Sequence, residues 1–157
     1  MNFDEITRKK HVNPASAKRI TTIIIEHWNL VRGDNFIPSE QDLDADILES
    51  LLDNCFLIKA TELRSSGHHD YVYIGQNIVS AYGSNVTHPK DSHDIDPLSH
   101  KNKFAEVIKT RTPVMDEGEF VNKDGHLVKY RQCLVPLGRD GRTVESIFGG
   151  MRFKVFD

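Results

Sequence analysis

The fold is decided by the last third of the chain, where residues 114–153 read VMDEGEFVNKDGHLVKYRQCLVPLGRDGRTVESIFGGMRF. Asp-Gly pairs at 124–125 and 140–141 divide this stretch into three segments of strand length. Asp-Gly favours tight hairpin turns because glycine readily adopts the positive φ angles that these turns need. The pattern therefore predicts an antiparallel meander of three strands, Val114–Asn122, Leu127–Leu137 and Thr143–Phe153.

The segments upstream of this meander predict two more strands and several helices. Two short apolar segments, at residues 55–60 and 71–74, have the length and composition of strands. Residues 76–82 predict a short helix, and a longer helix follows around Phe104, whose apolar neighbours recur at helical spacing. An earlier helix, capped by Asp44, precedes the first strand.

The N-terminal part of the chain predicts an amphipathic helix. Asn13-Pro14 fits a helix N-cap followed by proline in the first turn, and Gly33 fits the residue that ends a helix. Its apolar stripe either packs on its own domain or pairs with a second copy of the chain. The stripe consists of Ala17, Ile20, Ile24, Trp28 and Val31. The sequence thus predicts an N-terminal segment and helix over residues 1–35 and a core domain over residues 36–157.

Length and charge limit the class of protein. A chain of 157 residues has the length of one soluble domain. The formal net charge of −3 argues against general nucleic-acid binding, which needs a basic surface. The N-terminus lacks the apolar segment of a signal peptide, and Ile23–Ile25 is too short to span a bilayer. We therefore expect a cytoplasmic protein.

Several segments resemble the PAS_5 family, a group of uncharacterised bacterial PAS domains. Residues 36–49 resemble the Pro-x-x-x-Asp-Ile-Asp-Pro entry of the family, although Ala45 stands where the family favours proline and Glu40 where it often has arginine. Residues 71–83 resemble its strand-to-helix segment, and residues 131–137 resemble its fourth strand. The first helix, with Trp28, also resembles that of the family. The resemblance extends over roughly residues 20–155.

This resemblance implies an α+β, PAS-like fold. In that fold a five-stranded antiparallel sheet is covered on one face by helices, and an N-terminal helix is added here. The implied role is sensory or regulatory. The resemblance does not identify a ligand, because members of the family are largely uncharacterised. The cysteine motifs of photosensory PAS relatives are absent from this sequence, and no cofactor is predicted.

A pocket in such a fold lies between the helices and the sheet. Apolar and aromatic residues predicted to point inward are candidates for lining it, and they are equally what a filled core contains. A buried tyrosine needs a hydrogen-bond partner and is therefore well suited to orienting a ligand. The candidates are Tyr73, Ile78, Tyr82, Phe104, Ile108, Tyr130, Leu134 and Phe148.

The function expected from these features is binding rather than catalysis. The leading hypothesis is a stand-alone PAS-like module that binds a small ligand or a signalling protein and acts through association. The predicted interface of a homodimer consists of Ile20, Ile24, Trp28 and Val31. Alternatives are a small enzyme of the isomerase or hydrolase type, and an adaptor without a ligand. The carboxylates predicted on or beside strands, Asp116, Glu117 and Glu145, alternate with apolar neighbours as solvent-facing residues do, so no acid–base pair is predicted.

The sequence predicts no metal site. Histidine and carboxylate ligands crowd residues 88–100, but their spacing fits no known template. A second His-His-Asp group occupies residues 68–70. Asp42, Asp44 and Asp46 imitate the start of a calcium loop, which fails because it needs glycine and glutamate at its sixth and twelfth positions. Capping of a helix explains Asp44 better.

Two adjacent glycines and the two cysteines of the chain lie in segments predicted to be strands. Gly149-Gly150 lies inside a predicted strand, where glycine indicates a bulge or the close approach of a helix or a ligand. Cys55 and Cys133 lie in apolar segments and are interpreted as small buried hydrophobic residues.

Overall fold

The computed structural model describes residues 19–63, 71–83 and 101–157. The helices are α1 (Ile20–Arg32), α2 (Ala45–Leu48), α3 (Gln76–Tyr82) and α4 (Lys101–Thr110), with 3-10 helices at Glu40–Asp42, Glu49–Asn54 and Ala60–Leu63. The strands are β1 (Cys55–Lys59), β2 (Tyr71–Ile74), β3 (Val114–Val121), β4 (Leu127–Leu137) and β5 (Ser146–Phe156). Among these described residues, no helix is both long and apolar enough to cross a membrane.

The strands form one five-stranded antiparallel sheet in the order β2-β1-β5-β4-β3. This confirms the predicted fold class and the C-terminal meander. The first Asp-Gly turn is confirmed, with Gly125 at a φ of 82°. The second connection is wider than predicted, because Asp140 Oδ1 accepts from the backbone N–H groups of Arg142 and Thr143 and shapes a longer loop. Strand β5 therefore begins at Ser146, not at Thr143.

The two faces of the sheet are covered by different helices. Side chains alternate between the faces along β5. A Cβ placed on Gly149 would meet the ring of Phe56, whereas a Cβ placed on Gly150 would meet Ile24 of α1. Phe56 also lies edge-on to Phe104 of α4, at a centroid distance of 6.2 Å. We call the face with Gly149 the inner face and the face with Gly150 the outer face.

Helix α1 is fixed to the outer face by apolar packing and one long-range hydrogen bond. The side chains of Ile24 and Trp28 are 2% and 3% exposed. The Trp28 indole Nε1 donates to the backbone oxygen of Pro136 in β4 at 2.8 Å. Gly33 ends the helix at a φ of 56°, as its position predicts. The predicted helix start at residues 13–14 lies outside the described residues.

Candidate functional site

A polar cluster lies on the inner face near the edge of the sheet. Asp116 of β3 is paired directly with Gln132 of β4 in the antiparallel register. One carboxylate oxygen, Asp116 Oδ2, accepts from Gln132 Nε2 at 2.9 Å and from the Tyr130 hydroxyl at 3.2 Å. Tyr130, Gln132 and Leu134 alternate along β4 onto the same face, and Leu134 is paired with Gly149. The three polar side chains therefore form one hydrogen-bonded group, which we call the polar cluster.

Burial gives the polar cluster its electrostatic character. Gln132 is fully buried, and Asp116 and Tyr130 are half-buried. Burial, the charge of Asp116 and its hydrogen bond together raise the pKa of Tyr130 to about 12, and burial makes the largest contribution. A buried polar group left without a partner costs about 1–3 kcal/mol, so these groups stabilise one another's positions.

Aromatic residues border the polar cluster. The ring of Phe120 stacks on Tyr82 of α3 at a centroid distance of 4.6 Å and lies 6.0 Å from the ring of Tyr130. Gly118 is paired with Tyr130 across β3 and β4, and a Cβ there would lie 2.9 Å from the Tyr130 hydroxyl oxygen. The glycine thus leaves room for the phenol to reach Asp116.

The eight residues predicted to line a pocket are divided by the structure. Tyr130 belongs to the polar cluster, and Tyr82 is joined to it through Phe120. Phe148 alternates with Gly149 along β5 and therefore lies on the outer face. The Tyr73 hydroxyl donates to the backbone oxygen of Leu52 at 2.8 Å. The other four candidates, Ile78, Phe104, Ile108 and Leu134, contribute to the hydrophobic core.

The residues predicted to form a dimer interface are also divided. Ile24 and Trp28 belong to the core of their own chain, so they are not free for a second copy in this arrangement. Ile20 and Val31 are half-buried. The neighbouring Leu30 is 75% exposed and is the most exposed large apolar residue of α1. Dimerisation through this helix stays a prediction.

The sequence predicts neither a site role for Gln132 nor the inward position of Asp116. Asp116 was expected to face solvent, and the structure corrects this, because it faces Gln132 across the strand pair. Tyr130 and Leu134 are both predicted to line a pocket, and period-two alternation between them places Gln132 on the same face. The other two carboxylates are ion-paired, Glu117 with Arg131 and Glu145 with Arg139, each at 3.0 Å.

The two cysteines are buried and free. Each has 0% exposure, and burial raises both thiol pKa values to about 12. They flank Gly150 in the register, so two strand spacings of about 4.8 Å separate them. This separation of roughly 9.6 Å exceeds the Cα distance that a disulfide tolerates. Cys55 and Cys133 therefore act as packing residues, as expected.

Of the three segments whose residue types resemble metal ligands, the structure describes only the one at residues 42–46. The histidine-rich segment at 88–100 and the group at 68–70 lie outside the described residues. In the ranges that are described, no cluster of three or more His, Cys, Asp or Glu residues has the arrangement of a metal site. Asp44 caps α2 by accepting from the backbone N–H of Asp46 at 2.9 Å, which confirms the capping interpretation.

Comparisons with known proteins give a family and a fold. A family model described as a PAS domain, PAS_5, matches residues 16–152. The PAS domain of the fruit-fly ELK potassium channel aligns with a TM-score of 0.52 and 16% identity, over 73% of this chain and 96% of that chain. A light-oxygen-voltage domain studied with a flavin analogue aligns with a TM-score of 0.51 and 14% identity, over 69% of this chain and 82% of that chain. No curated protein matches the sequence.

Proposed function

The chain belongs to the PAS_5 family of PAS domains, and we propose from this that it is a sensory or regulatory module that binds a small ligand at the polar cluster. The observation that carries the proposal is the hydrogen bond between Asp116 and the fully buried Gln132. Small-molecule sites combine an apolar surface with a few fixed polar groups that orient the ligand. The polar cluster, bordered by Phe120 and Tyr82, has this composition.

The polar cluster favours a particular ligand chemistry. An ionised Asp116 accepts hydrogen bonds only, and a ligand that donates an N–H or O–H would therefore be held more strongly than one that only accepts. The stacked pair of Tyr82 and Phe120 offers an aromatic surface beside it. We infer a small, flat molecule with at least one hydrogen-bond donor.

Strand β4 links the inner face to helix α1. It carries Gln132 on the inner face, and four residues later the backbone oxygen of Pro136 holds the Trp28 indole on the outer face. A ligand that preferred one position of β4 would therefore also favour one position of α1. We propose that the signal passes to a protein partner by this route. The proposed partner is a second copy, which associates through the exposed Leu30 of α1 and the half-buried Ile20 and Val31. We further propose that the protein acts in the cytoplasm.

Native mass spectrometry tests the ligand proposal. Protein purified from its own cells is measured under native and denaturing conditions, and a retained small molecule appears as an added mass in the native spectrum alone. The variant Gln132→Leu, which keeps a side chain of similar size but replaces the amide by an apolar group, should lose this mass. The matched control is Gln76→Leu, at an exposed position on α3.

Circular dichroism of each variant shows whether it is folded. If the folded Gln132→Leu protein retained the same mass as the wild type, the ligand would not lie at the polar cluster. If the wild-type protein carried no added mass and its pull-down returned a protein partner, the proposal of a ligand sensor would fail and the protein would be an adaptor without a ligand.

A further inference from the structure

A basic groove lies on the outer face, beyond the N-terminal end of α1. It has a volume of about 520 Å³ and contains five cationic side chains in a chain whose formal net charge is −3. These residues are Arg19, Lys129, Arg131, Arg152 and Lys154. Positive charge is thus concentrated at one place on a protein that is acidic overall. The four strand cations lie on the face of the sheet opposite the polar cluster, and Tyr130, between Lys129 and Arg131 in β4, lines the groove as well.

The strand register places like charges directly opposite each other in this groove. Lys129 is paired with Lys154, and Arg131 is paired with Arg152. Opposed like charges on neighbouring strands are destabilising. The arrangement therefore carries a cost in stability that a bound anion would relieve.

Most of these cations have no carboxylate partner within the described parts of the chain. Arg131 forms an ion pair of 3.0 Å with Glu117, which also lines the groove. Among the residues that the structure describes, no carboxylate lies within ion-pair distance of Lys129, Arg152 or Lys154. The two lysine ammonium groups instead lie beside the ring of Phe156, at 5.6 and 5.2 Å from its centroid. Three exposed cations are thus available to a ligand.

The start of α1 adds to the positive potential of the groove. Thr21, in its first turn, lines the groove, and the first turn contains no acidic residue. The first hydrogen bond of the helix runs from Ile23 N–H to the oxygen of Arg19. The N–H groups ahead of it carry the partial positive charge of the helix N-terminus. This contribution reinforces the side-chain charges and does not replace them.

We propose that the basic groove binds a small anion with two or more linked phosphate groups. Successive residues on one face of a strand are about 6.8 Å apart, so the two cation pairs form two adjacent positions along β4 and β5. A single phosphate reaches one pair, whereas linked phosphates reach both. Arginine and lysine bind phosphate oxygens through charge-assisted hydrogen bonds. The site is separate from the polar cluster, and it adds a second binding activity to the proposed function.

Calorimetric titration of the full chain tests the phosphate site, with sodium tripolyphosphate as the probe. Tripolyphosphate should bind about tenfold or more tightly than orthophosphate, since it engages both cation pairs. Its affinity should fall as the salt concentration rises from 0.05 to about 0.3 M, because salt screens exposed charges. Citrate is the comparison anion that carries carboxylates instead of phosphates. Equal binding of citrate, or no binding of tripolyphosphate at low salt, would overturn the proposal.

Charge-removing variants locate the binding site. Arg152→Gln and Lys154→Gln should each weaken tripolyphosphate binding by about tenfold, the effect of losing one charge-assisted contact. Lys109→Gln, at an exposed position on α4, removes the same charge elsewhere and should leave the affinity unchanged. Equal affinity in all three variants would contradict the assignment.

The oligomeric state of these variants without phosphate gives a further check. If Arg152→Gln abolished dimerisation of the phosphate-free protein, the groove would be a surface for a second copy, and the phosphate proposal would fail. A ligand retained at the polar cluster would be unaffected by these variants, so the two proposals fail independently.

Discussion

Ile24 of α1 packs directly against the backbone of Gly150 in β5, at the position that a Cβ atom would occupy. Because Gly150 has no side chain, the helix lies close to the sheet between Cys55 and Cys133, its neighbours on β1 and β4. On the other face, the adjacent Gly149 gives the same room to the ring of Phe56. The glycine pair therefore lets both faces of β5 pack closely. The groups that approach its backbone are the side chains of Ile24 and Phe56 of the same chain.

The first prediction concerns this contact. Gly150→Ala should lower the free energy of unfolding by about 1–3 kcal/mol, because the added methyl group overpacks the interface with Ile24. Shortening the opposing side chain in the double variant Gly150→Ala/Ile24→Val should cost less than the sum of the two single changes. Urea denaturation of the four proteins measures this coupling. Strictly additive effects would mean that the two residues do not share this space.

The second prediction concerns the ionisation of Tyr130. Its pKa is raised to about 12 by burial first and by Asp116 second. Asp116→Asn removes the negative charge but not the burial, so the Tyr130 pKa should fall and still stay above its ordinary value of 10. Ultraviolet titration of the phenol measures it, and Tyr130→Phe identifies the signal. An unchanged pKa in Asp116→Asn would show that the carboxylate has no influence on the phenol.

The raised pKa of Tyr130 also predicts how the free energy of unfolding changes at alkaline pH. A pKa raised in the folded state means that the folded protein holds its proton more tightly than the unfolded chain. The contribution of Tyr130 to the free energy of unfolding is therefore fully present below pH 10. It is lost as the pH rises towards about 12, because the unfolded chain releases the proton first. Tyr130→Phe should lose less stability than the wild type over this interval in urea denaturation. Parallel pH profiles for the two proteins would count against the contribution of Tyr130.

The third prediction concerns thiol reactivity. With a pKa of about 12, each buried cysteine has roughly one thiolate in ten thousand molecules at pH 8. Folded protein should therefore react with a thiol reagent at least a hundredfold more slowly than protein in 6 M guanidinium, at about pH 8, since burial also restricts access. Colorimetric thiol titration measures both rates. Equal rates in native buffer and denaturant would contradict the buried positions of Cys55 and Cys133.

The fourth prediction concerns association through α1. If the exposed side of this helix forms a homodimer, Leu30→Glu should raise the dimer dissociation constant by about tenfold or more, because it places a charge in an apolar contact. Sedimentation velocity over a range of protein concentrations measures the change. Gln76→Glu adds the same charge on α3 and should leave association as it is. A wild-type chain that sediments as a monomer at high micromolar concentration would refute the dimer.

The sequence predicted the local elements where one residue type determines the backbone. Gly125 and Gly83 adopt the positive φ angles, 82° and 70°, that place a turn and the end of a helix. Strand β4 begins at Leu127 and ends at Leu137, as its flanking Asp-Gly pairs predict. The start of β5 was missed by three residues, because the carboxylate of Asp140 builds a wider loop than an Asp-Gly pair alone implies.

The candidate site was predicted only in part. Their aromatic character predicts Tyr130 and Tyr82 as site residues, whereas the sequence pattern places Asp116 in solvent and gives Gln132 no role. Each of these polar residues looks ordinary within its own strand. Their pairing depends on the register between β3 and β4, which brings residues sixteen positions apart into a 2.9 Å hydrogen bond. The residue pattern within one strand does not show which residue of the neighbouring strand lies opposite, because that depends on the register between the two strands.

The sequence by itself determined the order of the elements, the three-strand meander and the apolar stripe of α1, since these follow from turn residues and from periodicity within one segment. Only the tertiary structure decided what covers that stripe. Periodicity describes Ile24 and Trp28 as one apolar face, and this face would fit a second copy as well as a sheet. The bare backbone of Gly150 and the carbonyl oxygen of Pro136, more than a hundred residues away, give this face its partner within the same chain.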